Sequence, residues 1–383
     1  MRRTVFDDDH EAFRATVRDL LAREVAPVFP EWEKAGAAPR DFYRLLGKLG
    51  ILGMQVPEEY GGGGQRSFKF NVVVNEELAR AQLGLGPIRV HTDIVLPYLL
   101  RYADDEQRRR WLPGVASGGL MTAIAMTEPG TGSDLAGIAT TAVRDGDHYV
   151  LNGAKTFITG AVNADLVLVV ARTSPAREDD RRAGLSILVV ETASEGFTVG
   201  RNLEKIGLKA QDTAELAFAD VRVPVENLLG EEGRAFDHLR HNLAQERLSI
   251  AVNAQASAAG AVELTVDYVR ERDVFGKPLS AFQNTKFTLA ECATEVEAGQ
   301  ALLDRALEEH DAGGLSAADA AKVKLFCTEM QSRVVDKCLQ LHGGYGYVLE
   351  YPIARLYGDA RVTRIYGGTS EVMKSIIAKS IGL

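Results

Sequence analysis

The sequence predicts a multidomain α+β protein: a helical N-terminal part, a middle β domain and a C-terminal helical bundle. Three observations carry this reading. Apolar residues recur at helical spacing through the first 120 residues. Near Leu120 the texture changes, and residues 121–226 are rich in Val, Thr, Ile and Leu and broken by turn dipeptides. Long apolar stripes then return, and stripes of that length bury themselves by packing as a bundle. The expected divisions are 1–120, 121–228 and 229–383.

Phe13, Val17, Leu20, Leu21 and Val25 mark a first helix, which Pro27 and Pro30 stop. A second apolar segment runs through Leu45, Leu46, Leu49 and Leu52. Gly61 to Gly64 make a flexible break. No strand leads into it and Gly-x-Gly-x-x-Gly is not formed, so it is no dinucleotide fingerprint. Helix resumes around Val72 to Ala81 and His91 to Tyr102, and Asp104 or Asp105 caps the helix carrying Trp111. Asp145-Gly146, between Thr141-Ala142-Val143 and His148-Tyr149-Val150-Leu151, signals a hairpin. Leu166 to Ala171 and Leu185 to Val190 read as buried strands, with 174–184 as an exposed loop between them. Helical patterns then run from Glu231 to Glu271 and from Thr285 to Glu309. A third starts at Ser316, with Asp319 as its capping partner, and a last helix follows Thr369.

Composition narrows the function. With 46% hydrophobic and 25% charged residues, the chain is globular rather than disordered. No apolar run approaches the roughly 20 residues of a membrane helix. The formal charge of −9, with no Lys/Arg cluster, argues against nucleic acid as a partner. The opening Met-Arg-Arg-Thr-Val-Phe-Asp-Asp-Asp lacks an apolar signal core and is too acidic for a mitochondrial presequence, so a cytoplasmic location is expected. Cys292, Cys327 and Cys338 form no metal spacing and read as buried free thiols. Phosphate-loop, serine-elbow and His-Glu-x-x-His motifs do not occur, which leaves metal catalysis and serine hydrolysis without a basis.

Several stretches can carry chemistry. Ala125 to Asp134 reads Ala-Met-Thr-Glu-Pro-Gly-Thr-Gly-Ser-Asp. Its one proline and two glycines exclude a helix interior, and its hydroxyls and free N–H groups suit an anionic, hydrogen-bonding ligand. Pro-Gly-x-Gly alone suits a plain surface turn equally. Glu246 lies on the apolar stripe of the long helix, three residues after Leu243 and four before Ile250. Burial would raise its pKa into the range of a general base; a salt bridge to Arg247 or to a Lys of another helix also satisfies the spacing. Phe157 and Thr159, two apart on a strand, share a face and suit one flat ligand. Gln340-Leu-His-Gly-Gly-Tyr-Gly346 is a helix end, Ile365-Tyr-Gly-Gly-Thr-Ser-Glu371 a glycine turn into a helix N-terminus. Arg272-Asp-Val-Phe-Gly276, followed by Gln283, completes the set.

In this order and spacing, Thr-Glu-Pro-Gly-x-Gly-Ser-Asp, Asn-Gly-x-Lys-x-Phe-Ile-Thr, Arg-x-x-Phe-Gly, Gln-Leu-His-Gly-Gly and Tyr-Gly-Gly-Thr-Ser-Glu resemble the acyl-CoA dehydrogenases over nearly the whole chain. The resemblance implies an N-terminal helical domain, a middle β-barrel or sandwich domain and a C-terminal four-helix bundle. It implies a homotetramer, a dimer of dimers, with one FAD per subunit. Met126, Thr127, Gly132, Ser133, Phe157, Ile158 and Thr159 would line the flavin. Arg272, Phe275, Gln283, Gln340, Leu341, Gly343 and Gly344, with Thr369 and Glu371, would hold its pyrophosphate and adenosine across a subunit interface.

The implied reaction is α,β-dehydrogenation of an acyl-CoA, with electrons passed to an electron-transferring flavoprotein. Many members carry the base in Tyr-Glu-Gly-Thr, but this chain has Tyr366-Gly367-Gly368-Thr369. Glu246 in Gln-Glu-Arg-Leu matches the long-helix position used by the long-chain and isovaleryl types. Ser133, Leu243, Arg247, Tyr366 and Gly367 would contact substrate, with the Gly367 N–H on the thioester oxygen. An acyl group on a carrier protein, an oxidase on the same fold, and a non-catalytic assembly protein are the competing readings.

Overall fold

In the computed structural model, which describes residues 2–383, helices α1 (Asp8–Leu20), α2 (Phe29–Ala35), α3 (Arg40–Lys48) and α4 (Lys69–Arg80) open the chain. Asp7 starts α1 in a reciprocal capping box with His10. Helix α5 (Gly86–Arg89) runs through a π-helical turn, Val90–Val95, into α6 (Leu96–Tyr102). Helix α7 (Asp105–Ala116) is capped by Asp104, which accepts from the Gln107 amide at 2.8 Å. That resolves the capping alternative in favour of Asp104.

The β region holds β1 (Thr122–Ala125), β2 (Thr141–Asp145), β3 (His148–Thr159), β4 (Leu166–Arg172), β5 (Leu185–Glu191), β6 (Phe197–Asn202), β7 (Thr213–Pro224) and β8 (Leu228–Leu229). They form one mixed sheet in the order β6-β7-β3-β2-β4-β5-β8, with β1 beside β4 in parallel. The β2–β3 hairpin pairs Asp145 with His148, as the Asp-Gly turn predicts. Strands β4 and β5 are buried on both faces. Val167, Val169, Leu188 and Val190 pack with Tyr149, Leu216 and Phe218 of other strands. Leu168, Val170, Ile187 and Val189 pack instead against Leu96, Leu99, Trp111 and Leu239 of helices. Covering both faces explains their nearly continuous apolar sequence, which only Ser186 interrupts before the terminal Arg172 and Glu191.

Helix α8 (Ala235–Glu271) follows, then the short pair β9 (Asp273–Val274) and β10 (Lys277–Pro278). Gly233, at φ +76, breaks the helical pattern, so α8 starts four residues later than its periodicity suggests. Helices α9 (Gln283–Asp311), α10 (Ala317–His342), α11 (Pro352–Ala360) and α12 (Ser370–Ser380) complete the chain. Leu248, Ala251 and Val252 of α8 pack with Leu303 and Leu307 of α9, Val323 and Cys327 of α10, and Val72 of α4. Cys292, Cys327 and Cys338 are free and buried. No helix among the described residues is long and apolar enough to cross a membrane.

One polar cluster fixes α8 against the N-terminal helices. The buried Asp93 carboxylate, in the π-helical turn, accepts from Asn71 (2.9 Å), Asn75 (2.7 Å), Thr92 (2.8 Å) and Ser249 (2.5 Å). Gln245 of α8 donates to the Asp93 carbonyl at 2.8 Å. An Asp93→Ala change strands several buried donors at once. We expect it to lower unfolding free energy by roughly 3 kcal/mol or more, read as a lower denaturation midpoint at unchanged denaturant slope. An unchanged midpoint would show that the cluster is not holding the helices.

Candidate active site

A cleft of about 1420 Å³ opens where the helical N-terminal part, the sheet and α8 meet. Glu246 lies in its wall and is only 3% exposed. Leu243 and Ile250, named on its stripe, line the same cleft. Among the described residues its carboxylate has no salt-bridge partner. It accepts one hydrogen bond, from Tyr98 Oη at 2.8 Å. Burial pushes the Glu246 carboxyl up to about 7, against the opposing pull of the Tyr98 hydroxyl and the Arg247 charge. The same burial, with the Glu246 charge, holds Tyr98 well above the usual phenol range. Tyr98 is therefore a neutral donor, and Glu246 is poised to exchange a proton near neutrality. Tyr98 had no signal in the sequence; its phase on α6 follows from the π-helical turn before it.

The loop from Met126 to Asp134 forms the facing wall. Glu128 and Thr131 exchange backbone hydrogen bonds of 2.8 and 3.1 Å across a tight turn. The Glu128 side chain turns inward. It accepts from the amides of Ala139 and Thr140 at 2.7 and 3.0 Å and from Lys155 Nζ at 2.8 Å. Lys155 Nζ also donates to the Met126 carbonyl at 3.0 Å, and the Thr156 amide to the Thr127 carbonyl at 2.9 Å. Burial lowers Lys155 to about 8, and its partners hold Glu128 below the usual carboxylate range. Both residues stand inside the quoted motifs, yet a Glu and a Lys 27 positions apart give no sign that they pair.

Strand β3 delivers the aromatic ring differently from simple alternation. The β3–β7 register slips between Lys155 and Ile158, and Phe157 adopts φ +60. Lys155 and Thr156 are consecutive buried residues, while Phe157 is 67% exposed. The shared face expected of Phe157 and Thr159 is thus produced by a bulge, which re-aims the ring into the cleft. Phe157, Ile158 and Thr159 line it together with Met126, Thr127, Gly132 and Ser133. Gln211 donates to Thr159 Oγ1 at 3.3 Å, and its own Oε1 is buried without a partner. An exposed ring, flanking hydroxyls and an unmet amide oxygen fit the flat, hydrogen-bonding ring system of FAD.

The third wall is the turn Tyr366-Gly367-Gly368, with Gly367 at φ +62 and Gly368 at φ +94. A Cβ at 367 would lie 2.3 Å from Ile250 Cδ1, so this position faces α8 one turn beyond Glu246. Lys324 is buried behind the turn and donates to the carbonyls of Tyr366 (2.8 Å) and Gly368 (2.5 Å). Burial lowers Lys324 to about 8. In a trans peptide the N–H points opposite to the C=O. The Tyr366 carbonyl faces Lys324, so the Gly367 N–H is aimed away from it. Arg247 lies in the cleft wall with its Nε buried and unpartnered.

The remaining predicted residues gather elsewhere. The Arg272 guanidinium sits 5.5 Å from the Tyr345 ring centre, and Tyr268 Oη donates to the His342 carbonyl at 3.2 Å. This brings Arg272 beside the α10 end that bears Gln340, Leu341, Gly343 and Gly344, with Phe275 three residues further on and against Phe282. Phe275, at φ +52, is 96% exposed. Gln283, Gln340, Gly343 and Gly344 are exposed too. From Glu246 to Arg272 is about 39 Å of helix rise. Thr369 caps α12, accepting from the Val372 amide at 3.3 Å, and Glu371 is exposed; neither lines the cleft. The segment 174–184 is more than an exposed loop, because Arg177 to Ala183 wall the cleft mouth and Arg181 bridges to Asp134 at 2.9 Å.

The sequence matches three family models: acyl-CoA dehydrogenase N-terminal domain over residues 7–119, middle domain over 123–221 and C-terminal domain over 233–382. It is 44% identical over 379 residues to the mitochondrial long-chain specific acyl-CoA dehydrogenase of Sus scrofa, covering 99% of this chain and 88% of that one. The fold matches the crystal structure of an acyl-CoA dehydrogenase from Geobacillus kaustophilus at 49% identity and TM-score 0.98, covering 100% of both chains. It also matches a glutaryl-CoA dehydrogenase from Mycobacterium smegmatis in complex with FADH2, at 30% identity and TM-score 0.91, over 99% of this chain and 95% of that one. The chain belongs to the acyl-CoA dehydrogenase family.

Proposed function

We propose that Glu246 is the base in an FAD-dependent α,β-dehydrogenation of an acyl-CoA thioester. The observation that carries this is a carboxylate 3% exposed in the cleft wall, without a salt-bridge partner among the described residues and with its pKa raised to about 7 by burial. Glu246 removes a proton from C2. Becoming neutral suits its surroundings, because desolvation disfavours the charged form. Negative charge develops on the thioester oxygen, and the Gly367 N–H is aimed to receive it, with Lys324 fixing that peptide from behind. When bound, FAD supplies the two-electron acceptor for the hydride leaving C3. Phe157 and Thr159 form the wall for its ring, and the Glu128–Lys155 pair fixes the loop opposite.

The second cluster, Arg272, Phe275 and Gln340 to Gly344, serves the dinucleotide end of a neighbouring subunit's FAD. Its distance from Glu246 along α8 and the exposure of Phe275 support a shared site. A homotetramer, with an electron-transferring flavoprotein as the acceptor, is the matching assembly. Anaerobic titration with acyl-CoAs should bleach the yellow protein, and a slow return of colour in air separates a dehydrogenase from an oxidase.

Glu246→Gln should retain flavin and lose roughly 10²–10⁴-fold in rate; full activity in that variant would remove Glu246 from the mechanism. Since the base must be ionised, kcat/KM should rise with pH to a plateau above about 7. Tyr98→Phe deletes the one donor that favours the carboxylate, and should move that rising limb up by roughly one pH unit. An unshifted limb would mean that Tyr98 does not tune the base.

A further inference from the structure

The inner end of the cleft holds more positive charge than the reaction uses. Arg89 closes α5 just before the π-helical turn and is 9% exposed. It lines the cleft and makes one weak contact, donating to Tyr366 Oη at 3.4 Å. Among the described residues no carboxylate lies within ion-pair distance of it. Asp93, one turn on, spends its oxygens on Asn71, Asn75, Thr92 and Ser249. Arg247, 6% exposed, stands in the same wall with its unpartnered Nε. The other carboxylates in the lining, such as Asp134, Asp180 and Asp237, belong to the mouth and carry their own arginines there. Of the cleft's carboxylates only Glu246 feels one of these cations, the Arg247 charge, and it loses its own charge on taking up a proton.

A buried guanidinium without an anion or an acceptor is costly. An acyl chain ending in a methyl group would dehydrate Arg89 and give its donors nothing. A hydroxyl or carbonyl would supply acceptors but no charge. A carboxylate supplies both, in the paired geometry a guanidinium prefers. We propose that Arg89, backed by Arg247, is a subsite for a carboxylate at the far end of the acyl chain, and that the substrate is the CoA thioester of a dicarboxylic acid. The proposal rests on the dehydrogenase reading of the same cleft. Arg89 precedes Tyr98, the partner of the base, by about 13 Å along one continuous run of helix. The subsite is therefore removed from C2, at the end of a chain rather than beside the thioester.

The test uses the purified holoenzyme and anaerobic flavin bleaching with thioesters matched in carbon number: glutaryl- against pentanoyl-CoA, adipyl- against hexanoyl-CoA, suberyl- against octanoyl-CoA. For at least one length the diacid should be favoured tenfold or more in kcat/KM, chiefly through KM. Arg89→Met should swing that ratio at least tenfold toward the monoacid, and Arg89→Lys should recover part of it. Equal or better use of the methyl-ended thioester at every length overturns the subsite and leaves the dehydrogenase standing. A wild-type preference that survives Arg89→Met overturns the assignment to Arg89. A yellow enzyme that none of the six thioesters bleaches overturns both readings. Should Arg89→Met fail to fold, the wild-type ratio alone decides.

Discussion

A single hydrogen bond, from Tyr98 to the buried Glu246 carboxyl, sets the charge balance of the cleft wall. Placed among apolar neighbours with a full counter-ion, Glu246 would be a permanent anion and a feeble base. With no partner at all it would stay protonated through the useful pH range. Tyr98 supplies an intermediate degree of support. The two residues come from different parts of the chain, so their meeting depends on how the N-terminal helices dock against α8. The cleft, the sheet behind it and the helical bundle can all be read as the means of holding that one contact in a dry place.

The broad architecture was legible because it follows from periodicity. The switch near Leu120, the Asp-Gly hairpin and the Ser316 cap all appear where local chemistry puts them. The stripe on α8 was legible for the same reason, since it sets Glu246 on the buried face between Leu243 and Ile250. Spacing could not say whether that carboxylate is paired or open, because its partners lie on other elements. Tyr98, Lys324 and Arg89 could not be found this way. Each acts through a contact more than 40 positions distant in sequence, and nothing local marks it.

Backbone irregularity accounts for the other differences. Simple alternation along β3 would not bury Lys155 and Thr156 in succession; the slip after Lys155 does so and still brings Phe157 and Thr159 to the same cleft. The slip begins at Lys155. Its ammonium is drawn inward to Glu128 and the Met126 carbonyl, which ties the strand to the loop across from it. Charged residues buried in this way serve to set geometry more than to add stability.

The Asp93 cluster has a mechanical meaning. Its donors arrive from α4, from the π-helical turn and from α8, and each must point at one of two oxygens. Apolar helix faces can slide or rotate past each other at modest cost, since any greasy contact resembles the next. A keyed joint of directional bonds cannot, because a displacement by one turn would unmatch every member together. The cleft wall that the π-helical turn and α8 share is thereby locked in register, while the segment from Arg177 to Ala183 walls another part of the cleft with no such key.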